Sequence, residues 1–242
     1  MAKRKFEIMK HVRNLVTVFF LGMGTLTYAQ DAEVKTFSVK KGQVLDFLFI
    51  KTKPDKKAEL QDYFKRAFPV AEKEGYNRLP TLMVAQNPIQ GNDHPSALVC
   101  GFWSTTDSRS NFYDQIIKTM PDFFEVRRDI WSRFDLAYFE MEEDLTFEVD
   151  PNKFNVFTAY WASEDEKAFG RFKKDWKQKA TKSGATIITE LTDAKSPFGY
   201  MFTPEFVTLT QWDNQEAFEK FLDNNLKMDH EAILHVSQLA VR

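Results

Sequence analysis

Apolar positions along the chain alternate between two periods in an order that occurs twice. From Val44 the pattern predicts strand, helix, strand, strand, helix, strand. Val44–Lys51 is a strand run rich in Phe and Leu. Leu60, Tyr63, Phe64, Ala67, Phe68 and Ala71 then recur at helical spacing and define one apolar face. Gly75 stops that helix, and Pro69 predicts a kink or break within it. Leu79–Gln86 and Ala97–Trp103 read as strands joined through the turn formers Asn87-Pro88 and Gly91-Asn92-Asp93. A second helical stretch starts near Asp107 and is broken by Pro121, and Leu136–Met141 closes the unit.

The order recurs from Phe154. Phe154–Trp161 is a strand, and Phe169, Phe172, Trp176 and Ala180 form the helix stripe that Gly184 ends. Ala185–Leu191 and Phe206–Trp212 are the middle strands, a helix is expected from Asn214 to Ile233, and Val236–Val241 is the last strand. Gly75 and Gly184 are 109 residues apart, and so are Trp103 and Trp212. The same offset pairs Leu60 with Phe169, Tyr63 with Phe172, Ala71 with Ala180 and Phe112 with Phe221. It also pairs two capping boxes, Ser104 to Asp107 and Asp213 to Glu216. The expected fold class is α+β: two tandem ferredoxin-like βαββαβ units, residues 44–143 and 154–242, joined by a connector at 144–153. The first strands are apolar on both faces, so the units are expected to pack sheet to sheet as a pseudo-dimeric α+β barrel, with helices outside.

The segment before Val44 reads differently. Lys3, Arg4, Lys5, Lys10 and Arg13 precede an apolar run from Leu15 to Ala29. This is the pattern of a signal peptide at 1–29, cut after Ala29 to leave Gln30 first, with 30–43 as an N-terminal segment. The run is shorter than the roughly 20 residues that span a bilayer. The expectation is an exported protein, periplasmic or secreted, without stable membrane insertion after cleavage. Residues 1–29 hold five Lys/Arg and one Glu, so the remainder carries a net charge near −6, against −2 for the whole chain. That balance argues against nucleic acid as a partner. The one cysteine, Cys100, excludes an internal disulfide and reads as a buried thiol. Aromatic residues make up 15% of the chain, 24 of them Phe, which supports a large core.

The segment Trp212-Asp213-Asn214-Gln215-Glu216-Ala217-Phe218-Glu219-Lys220-Phe221-Leu222, followed by His230, resembles the antibiotic-biosynthesis-monooxygenase family. Those proteins are dimeric α+β barrels, and a tandem chain resembles that dimer fused. The superfamily hosts oxygenases, isomerases and heme proteins, so the resemblance implies a fold more than an activity. In heme-degrading members an Asn on the first strand, a Trp on the second helix and a later His form the site. Asn155 fits the first role, Phe221 stands at the Trp position, and His230 falls one residue short of the His spacing.

The candidate chemistry is therefore sparse. Asn155 and Asp46 are polar groups at matching places in apolar strands at the common offset, which calls for bonding or a wet cavity. Asn155 and His230 are the catalytic candidates, and Asn155, Trp212, Phe218, Phe221 and His230 the ligand-binding ones, in a pocket expected in the second half. His230 and His235 are five apart, and no Cys or carboxylate cluster completes a metal site. No cofactor is implied by the residues. Three classes fit: a binder of a small apolar or aromatic ligand, a cofactor-independent oxygenase or heme-modifying enzyme, and an interaction module with a filled barrel. A monomer, itself a pseudo-dimer, and a homo-oligomer fit equally.

Overall fold

A computed structural model describes residues 33–197 and 200–242. The proposed signal peptide lies outside them. The first half contains β1 (Lys35–Val39), β2 (Val44–Thr52), α1 (Lys57–Lys73), β3 (Tyr76–Arg78), β4 (Leu82–Met83), β5 (Ala97–Trp103), α2 (Thr106–Thr119), α3 (Phe123–Ile130) and β6 (Trp131–Glu140). The second contains β7 (Leu145–Val149), β8 (Phe154–Ala162), α4 (Glu166–Lys182), β9 (Thr186–Leu191), β10 (Phe206–Trp212), α5 (Gln215–Asn225) and β11 (Ile233–Val241).

The strand order is β3-β5-β2-β6 in one sheet and β11-β8-β10-β9 in the other. Numbered within each βαββαβ unit, both read fourth, first, third, second, which is the ferredoxin-like order. Leu45, Phe47 and Phe49 on β2 share one core with Phe157 and Ala159 on β8 and with Leu209 and Leu239. Phe47 and Phe49 meet Phe157 edge to face across that core, at 6.0 and 5.4 Å. The sheets thus face each other and the helices lie outside. Residues 83–90 pair with 238–242 along one seam, and Tyr138 pairs with Lys195 along the other. In both seams the fourth strand of one half runs beside the second-strand segment of the other, so the barrel closes with a pseudo-twofold relation.

Gly75 and Gly184 both end their helices at positive φ, +90° and +97°, which a side chain would resist. The caps lie one residue later than expected: Thr105 accepts from Ser108 N, and Asn214 accepts from Ala217 N. They remain 109 residues apart.

Four expectations need correction. Helix α1 runs unbroken through Pro69. Pro69 and Lys65, whose carbonyl loses its partner, both lie on the solvent-exposed face of the helix, where the loss of that bond is tolerated. The strand expected at Leu79–Gln86 is two short pieces interrupted at Pro80. The last helix ends at Asn225, and the residues to Ile233 form turns and the start of β11. The segments before Val44 and between the halves each carry a strand, Lys35–Val39 and Leu145–Val149. These two pair antiparallel, stack Phe37 on Phe147 at 4.6 Å and add both rings to the central core.

Candidate functional site

Of the residues singled out in the second half, Trp212, Phe218 and Phe221 are brought together, as packing, while Asn155 and His230 lie apart from them. Trp212, Phe218 and Phe221 are buried beneath α4 and α5, with Trp212 and Phe221 rings 5.0 Å apart and Trp176 6.1 Å from Phe221. The Trp212 indole donates to Thr210 Oγ1 at 3.1 Å. Tyr160, Phe172, Trp176 and Phe206 fill the rest of this layer. Asn155 is buried at the start of β8, on the barrel side. Its amide donates to the carbonyls of Asp150 and Lys153, at 2.8 and 3.1 Å, and its oxygen accepts from Gln211. It therefore clamps the β7–β8 turn. His230 lies beyond α5 rather than on it, half-buried, with its ring 5.7 Å from Phe172.

Asp46 and Asn155 are not counterparts. Val44 faces Trp103 across the sheet, and Phe154 faces Trp212. The first strands are therefore related by 110 residues, and Asp46 corresponds to Val156. A one-residue slip turns a strand side chain to the opposite face. Asp46 accordingly points toward the helices and Asn155 toward the barrel.

The cavity lies in the first half, between its sheet and α1, α2 and α3. It measures about 70 Å³ and is lined by Tyr63, Tyr113, Trp103, Trp131, Phe134 and Arg127, among others. Leu48, Ile50 and Val99, in mid-sheet, are only half-buried beneath it, whereas Thr158 and Thr208 at the corresponding places in the second half are wholly buried. A larger hollow of about 360 Å³ over α5 is shallow, and Ser183, Asn214, Glu216 and Lys220 around it are exposed. It gathers no buried group.

Two arginines enter the first-half layer on apolar helix stripes. Arg109 shares the α2 stripe with Phe112, Tyr113 and Ile116, and Arg127 shares the α3 stripe with Phe123 and Ile130. Arg109 Nε donates to Asp46 Oδ1 at 2.9 Å, and the Trp103 indole donates to Asp46 Oδ2 at 3.0 Å. Burial pushes the Asp46 carboxyl up, and the Arg109 guanidinium opposes it. Each Asp46 oxygen accepts one N–H, the geometry of a charge-assisted pair. Arg109 also lies 3.8 Å from the Tyr138 ring centroid.

Arg127 is held differently. Its Nε donates to Tyr63 Oη at 2.9 Å, and its guanidinium lies 4.0 Å from the Phe123 centroid and 4.3 Å from that of Phe134. It is 7% exposed and takes part in no salt bridge among the described residues. Burial opposes its charge, but the phenols of Tyr63, Tyr113 and Tyr200 face it and the net direction is upward, so it stays protonated. Burial also pushes the Tyr63 and Tyr113 hydroxyls up, which keeps both neutral. Tyr76 completes one wall by lying across Gly101, where any Cβ would overlap its ring. The chemistry of this site is thus a fixed cation and neutral phenols on an aromatic cavity. Among the described residues no group of three His, Cys, Asp or Glu could hold a metal.

No family model matches the chain, and no curated protein matches it. Solved structures do. An anthrone oxidase-like protein aligns over 85% of this chain and 94% of its own, with 15% identity and a TM-score of 0.50. The chlorite dismutase of Candidatus Nitrospira defluvii, in complex with imidazole, aligns over 84% and 92%, with 10% identity and a TM-score of 0.52. Both are dimeric α+β barrel proteins, and the present chain has that fold, with both halves of the barrel supplied by one polypeptide.

Proposed function

We propose that this is an exported binding protein for a small, flat, largely aromatic ligand, held between the sheet and helices of the first half. One observation carries the reading: that layer keeps an aromatic-lined cavity with Arg127, Tyr63 and Tyr113 converging on it, while the matching layer of the second half is packed with rings. A benzene-sized guest needs roughly 150 Å³, so occupancy requires the half-buried Phe64 and Phe68 to turn outward. Export rests on the basic start and short apolar run of residues 1–29, and N-terminal sequencing of material from a Gram-negative host should return Gln30.

Ala67 lies under the cavity and is buried. Ala67→Phe should fill the space at a cost of about 1–3 kcal/mol and leave the fold intact. Mass spectrometry of native preparations should find a copurifying small aromatic molecule in the wild type and none in the variant. Equal retention by both would place the ligand elsewhere and end the proposal.

A cofactor-independent oxygenase is the second reading. The convergence of several polar groups on one cavity favours it, although none of them is a base active near neutral pH. Oxygen uptake by the protein with its copurified ligand separates the two readings: consumption supports the enzyme, and an intact ligand supports the binder.

A further inference from the structure

We propose that the ligand of the first-half cavity is an organic anion, a flat carboxylate, phenolate or enolate whose charge is balanced by Arg127. The inference rests on the binding reading above and adds the chemical class.

Charge balance is the first argument. Two guanidinium groups, Arg109 and Arg127, are buried in one layer with one buried carboxylate, Asp46. Asp46 is engaged at both oxygens, by Arg109 and Trp103. The nearby tyrosines are held neutral by burial. The layer therefore carries one positive charge without a partner among the described residues, and a buried charge is costly unless paired.

The second argument comes from the atoms left without hydrogen bonds. In this layer they are Arg109 Nη2, Arg127 Nη1 and Trp131 Nε1, and of these residues Arg127 and Trp131 line the cavity. All three are donors. In the second half the corresponding atoms include the acceptors Asn225 Oδ1 and Gln238 Oε1 together with the hydroxyls of Tyr160 and Thr208. A mixture of donors and acceptors suits water, which offers both. A donor-only set needs an acceptor-only guest, and carboxylates and phenolates are such guests.

Orientation is the third. The Phe123 and Phe134 rings fix the plane of the Arg127 guanidinium, so its N–H groups have set directions. Tyr63 accepts from Arg127 Nε through a lone pair, which leaves its own proton for an oxygen of the guest. Apart from Asp46, whose two oxygens are taken by Arg109 and Trp103, and the phenols, the remaining walls are rings and aliphatic groups, which match a flat organic body better than a hydrated inorganic ion.

4-Nitrophenol tests this, because its ionised form absorbs in the visible and reports its own protonation. Its neutral methyl ether, 4-nitroanisole, serves as the control, and quenching of tryptophan fluorescence follows both. Wild-type protein should bind the phenolate at least about tenfold tighter than the ether. Bound 4-nitrophenol should ionise at a proton concentration about tenfold higher than free 4-nitrophenol. Arg127→Met should erase both preferences and still bind the ether, while Arg127→Lys should retain part of them. The ionisation of the bound probe on wild-type protein needs no variant, so a misfolded Arg127→Met does not remove the test. Equal binding of both probes, or ionisation made harder on binding, overturns the anion and leaves the aromatic-ligand reading standing. Binding of neither probe, with Ala67→Phe matching wild type in the mass spectrometry, overturns both. Displacement of the phenolate by chloride alone at equal concentration would assign the site to an inorganic ion and overturn the organic class.

Discussion

The two halves share a strand order, helix-stopping glycines and capping positions, yet they treat the space between sheet and helices in opposite ways. In the second half Tyr160, Phe172, Trp176, Phe206, Trp212 and Phe221 close that space with rings. In the first half the same layer contains Asp46, Arg109 and Arg127 and leaves a cavity over half-buried Leu48 and Ile50. Position by position, Val156 in one half answers Asp46 in the other. A repeated fold lets one copy supply packing while its twin carries buried charge, because both copies contribute to the common central core. The stability given up in one half is offset by the other.

The sharpest way to break this contrast is to remove the charge that the first half depends on. Arg109→Leu leaves Asp46 buried with only the Trp103 indole, and should cost about 3–5 kcal/mol in urea unfolding. The double variant Asp46→Leu/Arg109→Leu should recover most of that loss, since apolar replacement of a buried pair is often close to neutral. A double variant no better than the single one would mean that the pair holds the helix in register by more than its charge.

Next in size is a matched pair of truncations. Phe221→Ala, in the filled layer, should cost about 3–5 kcal/mol and leave ligand retention unchanged. Phe64→Ala, at the cavity rim, should cost less than half as much, because its ring is already half-exposed, and should weaken retention. Equal costs would erase the distinction between a packed and an open layer.

The caps sharpen the other side of the comparison, where the halves agree. Thr105→Ala and Asn214→Ala should each cost about 1 kcal/mol, and their effects should add in the double variant, because the caps lie in separate halves.

The smallest effect is a pH dependence confined to the first half. Arg66 bridges α1 to Asp122 ahead of α3, with a 2.5 Å contact, and holds that carboxyl below its ordinary range. A carboxyl lowered in the folded state adds stability above its unfolded pKa and loses it as the pH falls through the folded value. Arg66→Gln should therefore lower stability slightly near neutral pH and leave it unchanged at pH values below the folded pKa, which flattens the acid side of the profile. The pair is exposed, so a large change at pH 7 would contradict this account.

Much of the fold was legible because it rests on periodic burial. The helix stripes, the glycines after α1 and α4 and the strands ending in Trp103 and Trp212 all follow from spacing. The two short strands at Lys35–Val39 and Leu145–Val149 escaped, although their alternation, Thr-Phe-Ser-Val and Thr-Phe-Glu-Val, was there to see. Five residues give too little pattern to outweigh the lysines and acids that flank them.

Two physical reasons turned the reading of the sequence toward the second half, where the structure packs the aromatic candidates. Transferring the helix offset to the first strands, which follow an offset one residue longer, put Asp46 and Asn155 on the same face. The second reason is that His230 drew attention as a titratable group, while the cavity uses groups that do not titrate near neutral pH. A usable signal existed. Arg109 sits three and four residues before Phe112 and Tyr113, and Arg127 four residues after Phe123 and three before Ile130. Each arginine occupies a core position on an apolar stripe, which a surface arginine has no reason to do.

The seam between residues 83–90 and 238–242 has a consequence for how the protein is made. Arg242 and Met83 exchange backbone bonds, and Lys35 Nζ donates to the Arg242 carbonyl. Residues 238–242 thus lock against a segment synthesised some 150 residues earlier and against the start of β1. Until they arrive, the nascent first half displays an unpaired strand edge and the apolar face of Leu45, Phe47 and Phe49, the kind of surface that sticks to other chains. Loss of residues 238–242 would therefore remove one seam of the barrel.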